Sequence, residues 1–146
     1  MQKQIINLIK NNFLAILSIF LFLICLFNDA FYLYGHRRND WSTSWAILIY
    51  GWMGLFDGIK NIAAFSWLAN PLLFIAWVTY FIKNNRTSFF FSCSSLSLML
   101  FFLLPREIII GANSSHELIA GYGLGYWLWV SSAVALCLAN ISAHKK

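Results

Sequence analysis

Acidic side chains are scarce in this chain, with five Asp and Glu against ten Lys and Arg, and only 10% of its 146 residues are charged. So thin a polar coat excludes a water-soluble globule, because 60% of the residues are hydrophobic and the main solvent must be lipid. Cysteine is nearly absent too. Cys25, Cys93 and Cys137 sit in apolar runs with no C-x-x-C pairing, which excludes a disulfide framework and a zinc site and leaves them as small packing residues. No H-E-x-x-H or other metal-binding spacing is present, so neither a metal nor a cofactor is implied. The central thirds of the apolar stretches hold no Asp, Glu, Lys, Arg or His, which argues against a proton relay. The run from Gly121 to Gly125 follows no strand pattern and has no acidic partner, so a nucleotide-binding loop is excluded, and nothing points to a nucleic acid.

What is present is length of apolar sequence. At about 1.5 Å per residue, four stretches approach the roughly 30 Å hydrocarbon core of a bilayer. They run over about 13–34, 62–82, 88–104 and 119–141, each ending at a charge or a helix breaker. A fifth stretch, 45–57, is too short to cross and is expected to lie on the outer side as an interfacial or re-entrant helix. Ser42, Thr43 or Ser44 would cap its start, and a turn at Asp57-Gly58 would end it. The fold expected is therefore all-α, a polytopic membrane helix bundle of four transmembrane helices plus that short helix, in a single domain covering residues 1–146. The first stretch has the basic flank of a signal peptide, but its length and the lack of a small-residue cleavage site read as a retained anchor.

Charge sorts the ends. Lys3, Lys10, Lys83, Arg86, Lys145 and Lys146 fall on one side, which the positive-inside rule makes cytoplasmic along with both termini. Asp29, Asp40, Asp57, Glu107 and Glu117 all fall on the other. Composition rich in Lys, Asn, Ile and Phe fits an AT-rich bacterial genome, and so the bacterial inner membrane. Most Trp and Tyr also gather near the outer face, a lopsided belt.

Candidate functional residues on the outer side are Asp29, His36, Asp57, Glu107, His116 and Glu117. Of these Asp29 stands out, since it ends an apolar stretch and needs a partner such as Arg37, Arg38 or Lys60. Asn70-Pro71 interrupts the second span, where proline leaves a carbonyl without its usual donor and Asn70 can bond it. Small residues recur at packing intervals: Gly51, Gly54 and Gly58; Ser88, Ser92 and Ser95; and Gly121 with Gly125. Such rows let helices approach closely in lipid, whether within the bundle, in a homo-oligomer or against a membrane protein partner.

These features favour a protein that acts by contact inside the bilayer, as an accessory subunit or immunity-type protein, rather than an enzyme. Two alternatives stand beside it. One is a small oligomeric transporter or channel lined by Ser94, Ser97 or Asn70; the other is a membrane enzyme working on a lipid or quinone at the outer face.

Overall fold

The structure is a computed structural model, and it describes residues 2–34, 42–110 and 115–144. The chain is mostly helical, with five α-helices among the described residues: α1 (Gln2–Cys25), α2 (Ser44–Tyr50), α3 (Ala69–Phe81), α4 (Asn85–Phe101) and α5 (Leu124–His144). Among the described residues two helices are long and apolar enough to cross a membrane, Asn61–Phe81 and Leu124–Ala143. A succession of 3₁₀ turns over Gly51–Leu68 joins α2 to α3.

A small sheet interrupts the all-helical picture. Strands β1 (Phe31–Leu33), β2 (Glu107–Ile110) and β3 (Ser115–Tyr122) form an antiparallel sheet in the order β1-β3-β2. Its register pairs Glu107 with Leu118, Ile109 with His116 and Phe31 with Tyr122. The apolar run beginning at Phe13 continues to Tyr34, yet α1 stops at Cys25. Tight backbone bonds from Phe27 and Asn28 close it, and Asn28 Nδ2 donates to Ile24 O at 2.8 Å. Three residues of alternating burial then enter the sheet. A continuous apolar run hides this change, because a buried strand and a helix draw on the same side chains.

The segment between α2 and α3 is no straight rod. Trp67 Nε1 donates to Leu48 O at 3.1 Å, so the chain doubles back between Phe56 and Asn61. Its two arms touch through glycine. A Cβ at Gly51 would lie 2.6 Å from Trp67 Cδ1, and one at Gly54 would lie 2.9 Å from both Ala64 Cβ and Asn61 Nδ2. Thr43 is the N-cap of α2, but its side chain makes no capping bond; the Ser44 hydroxyl instead donates to Asn28 O at 2.8 Å.

Pro71 falls in the first turn of α3, where a missing N–H costs nothing to the helix ladder. The carbonyl four residues before it belongs to Trp67, and Asn70 Nδ2 donates to that oxygen at 3.1 Å. At its other end α3 closes with Lys83 at φ 62°, the left-handed conformation, while Asn84 N bonds Thr79 O and Lys83 N bonds Tyr80 O. Asn84 then caps α4 by accepting from Thr87 N at 3.3 Å.

Serines fasten the bundle. Ser88 and Ser95, both fully buried on α4, donate across to Ala76 O and Ala69 O of α3 at 2.8 Å each. Ser18 of α1 donates to Ser132 O of α5 at 2.6 Å and accepts from Trp77 Nε1 of α3 at 2.9 Å. Tyr126 reaches from α5 to Met99 O of α4 at 2.9 Å. In an apolar surrounding such bonds and close packing, rather than the hydrophobic effect, hold helices together.

Candidate functional site

At the sheet end of the bundle the packing opens into a cavity of about 540 Å³. Its walls come from the end of α1, β1, α2, both arms of the doubled-back segment, β2 and the start of α5. Small residues make the room: Gly51, Gly54, Ala63 and Ala64 line it where larger side chains would fill it. Aromatic rings supply much of the remaining wall, notably Phe31, Trp67, Phe102, Tyr126 and Trp129. Volume and lining both suit a small molecule with an apolar body.

Most polar groups on this wall are already spent. Trp129 Nε1 donates to Asn70 Oδ1 at 3.0 Å, and Tyr126 and Ser44 are bonded as described above. Two groups are not. Asn61 Oδ1 and Ser66 Oγ are buried, in residues only 4% and 2% exposed, and have no hydrogen-bond partner among the described residues. Leaving such an atom unpaired costs about 1–3 kcal/mol. Ser66 is unusual here, because Ser92, Ser97, Ser132 and Ser142 all bond back to a carbonyl of their own helix. No Asp, Glu, Lys, Arg or His lines the cavity among the described residues.

A periodicity of three places these groups. Along the second arm Ile62, Phe65 and Leu68 are exposed, whereas Asn61, Ala63, Ala64 and Ser66 are buried. In 3₁₀ geometry residues three apart stack in one row, so the large apolar residues face outward together. Reading Ser66 as part of an ordinary apolar span over 62–82, with Asn61 just before it, missed this. The available signal was small or polar residues at 51, 54, 61, 63, 64 and 66, set against large ones at 53, 56, 62, 65 and 68.

The outer-side candidates disperse. Glu107 and His116 come together across β2 and β3, with Oε2 and Nδ1 3.3 Å apart and side chains 57% and 61% exposed. At that exposure the pair contributes little to stability. Glu117 projects from the opposite face of β3, its neighbour in register being Ile108. Asp29 makes an isolated bridge to Thr43 through its backbone, and its carbonyl accepts from Gly125 N at 3.0 Å. His36, Arg37, Arg38 and Asp40 lie outside the described residues, as do the side chains of Asp57 and Lys60 and anything beyond the backbone of Gly58. No group of three or more metal-ligating side chains occurs among the described residues.

The small-residue rows are placed differently from one another. Ser88, Ser92 and Ser95 form one buried face of α4. Gly121 closes β3 opposite Tyr32 while Gly125 opens α5, so these two do not make a row on one helix. Gly125 is the tight one. A Cβ there would lie 2.8 Å from the carbonyl oxygens of Asn28 and Asp29, whereas nothing lies within 4 Å of a Cβ at Gly121. Burial pushes the Tyr122 hydroxyl to a higher pKa than usual, and this hydroxyl donates to Phe102 O at 3.2 Å.

No family model and no solved structure matches the chain. Among curated proteins it is similar to a phospho-N-acetylmuramoyl-pentapeptide-transferase from Fervidobacterium nodosum, at 31% identity over 97 residues. The match covers 60% of this chain and 31% of the relative's length.

Proposed function

We propose that this chain is an integral protein of the bacterial cytoplasmic membrane whose work is binding rather than catalysis. It crosses four times, with α1, the Asn61–Phe81 arm, α4 and α5, both termini lie inside, and the sheet and cavity face out. Two apolar helices of spanning length support the membrane location. The orientation is supported by Lys83 in the α3–α4 turn and Arg86 in the first turn of α4, at the end of the bundle opposite to Glu107 and Glu117 in the sheet. In this reading the cavity holds a small apolar molecule, and the protein serves as an accessory or immunity-type module for a membrane partner. The observation that carries it is a roomy, mostly apolar cavity walled by aromatic rings and small residues.

Purification from the native host in mild detergent, followed by native mass spectrometry, tests it. The expected result is a non-protein mass released by organic solvent, with a stoichiometric membrane partner alongside. A chain that carries neither would overturn the reading.

The matched relative favours a second reading, a membrane enzyme that transfers a phosphosugar group. Against it stands the uncharged wall of the cavity, which offers a phosphate no cation among the described residues. Transferase assays with the purified chain decide between the two readings.

A further inference from the structure

Resting on the binding reading above, we infer that the cavity takes the hydrocarbon chain of a membrane lipid, which enters sideways from the bilayer while its polar head stays at the mouth. Shape is the first argument. The second arm and the start of α3 supply wall residues from Asn61 to Asn70, on one continuous helix. At about 2.0 Å per residue for 3₁₀ turns and about 1.5 Å beyond Leu68, that wall is roughly 17 Å long. A volume of about 540 Å³ spread along it makes a narrow bore. Phe22 of α1 and Trp129 of α5 close its deep end, where Trp129 Nε1 is bonded to Asn70 Oδ1. A slender chain fills such a bore, whereas a compact molecule would leave part of the lining short of contacts.

Polarity is the second argument. No Asp, Glu, Lys, Arg or His lines the bore among the described residues, so a charged or zwitterionic head group would lose its hydration there and gain no counter-charge. An amphiphile therefore enters chain first. The mouth is the third argument. Tyr50 and Met53 line the cavity and are also 44% and 55% exposed, so the space reaches the surface at the first arm. Phe56, three residues beyond Met53, is exposed too, and Trp52 packs edge-on against it with ring centroids 5.8 Å apart. Trp52 Nε1 donates to Ile49 O at 2.7 Å, so this exposed indole has its donor met within the chain. The second arm adds Ile62, Phe65 and Leu68, also exposed. A mouth set among so many large apolar side chains opens to lipid rather than to water.

Photolabelling of the full chain in phosphatidylcholine vesicles tests this, with adducts located by peptide mass spectrometry. Three probes are used in turn: a phosphatidylcholine with a diazirine at the end of one acyl chain, another with the diazirine in its head group, and a compact trifluoromethyl phenyl diazirine. Phe22 and Tyr126 are decisive, because both line the cavity and are only 5% and 1% exposed, out of reach of a lipid lying against the outside. Expected is labelling of Phe22 or Tyr126 by the chain-end probe, about fivefold or more above labelling by the head-group probe. Met53→Asp sets a charge in the mouth and Met53→Trp narrows it. Each should cut chain-end labelling by about fivefold and, at so exposed a position, leave the melting curve in detergent unchanged.

Should the compact probe label Phe22 or Tyr126 and the chain-end probe neither, the cavity binds a compact apolar molecule, and this inference falls while the binding reading stands. Should chain-end labelling survive both Met53 variants undiminished, the chain does not enter by this mouth and the inference falls as well. Should no probe label the cavity wall, the binding reading itself falls.

Discussion

The α3–α4–α5 bundle and the sheet end are built from similar residues, small ones at short intervals, and put them to opposite use. In the bundle the small residue is serine, and its hydroxyl both saves space and spends its hydrogen bond across the helix interface, as Ser88 and Ser95 do. At the sheet end the small residues are glycine and alanine, which let two arms touch at a few points and leave a void between them. Of the two serines on the cavity wall, Ser44 bonds Asn28 O and Ser66 has no described partner. The contrast separates two meanings of a small residue in lipid. Where backbone follows backbone it is a seam, and where a wide ring such as Trp67 or Trp129 props the walls apart it is a pocket.

Substitutions at the two ends test that contrast. The largest effect is expected from Gly125→Val, whose Cβ would run into the Ser44 hydroxyl and the carbonyls of Asn28 and Asp29. The two carbonyls are backbone, and Asp29 O accepts from Gly125 N, so a loss of folded protein, or of about 3 kcal/mol or more, should appear in detergent melting curves. Gly121→Val should be tolerated beside it. Next comes Ser95→Leu, which forces a large side chain into the α3–α4 seam and should cost about 1–3 kcal/mol by the same measurement. Ser95→Ala keeps the close approach and loses only the bond to Ala69 O, for about 0.6 kcal/mol. At the exposed Glu107–His116 pair, His116→Ala should leave the melting curve unchanged. A Ser95→Ala loss as large as that of Ser95→Leu would mean that the hydrogen bond, not the close approach, holds the seam.

Cysteine gives a chemical check on the same seam. Cys93 Sγ and Cys137 Sγ lie 3.8 Å apart, joining α4 to α5. Mild oxidation with copper–phenanthroline should couple them and remove two maleimide-reactive thiols per chain, counted by mass. If both thiols stay reactive, α4 and α5 are not packed as described.

Helical content was legible in the sequence because long apolar runs, caps and charges leave few alternatives. The charges Lys83 and Arg86 that close the second stretch are local signals, and local signals survive without knowledge of the fold, whereas Pro71, expected to interrupt that stretch, falls in the first turn of α3. The sheet was not legible. Phe31–Leu33 is the tail of an apolar run, and β3 alternates between residues as weakly contrasted as Leu118, Ile119 and Ala120. Strand β1 is far in sequence from β2 and β3, which follow one another closely, and no local pattern announces its pairing. The cavity was hidden for a different reason. Asn61 and Ser66 matter because of partners they lack, and an unmade bond depends on everything that surrounds them in space. Only the threefold spacing of Ile62, Phe65 and Leu68 pointed to it, and period three is easily lost in a search for period 3.6.

The bond between Ser18 and Ser132 O joins residues 114 positions apart, so the first helix finds its principal neighbour in the last one made. During synthesis Ser18 would therefore wait unpaired until the ribosome has delivered α5, and in the proposed four-span topology that interval is a window for surveillance by membrane proteases. A chain stopped before Leu124 should be cleared far faster than the whole protein in a pulse-chase experiment, and supplying α5 as a separate peptide should slow that clearance.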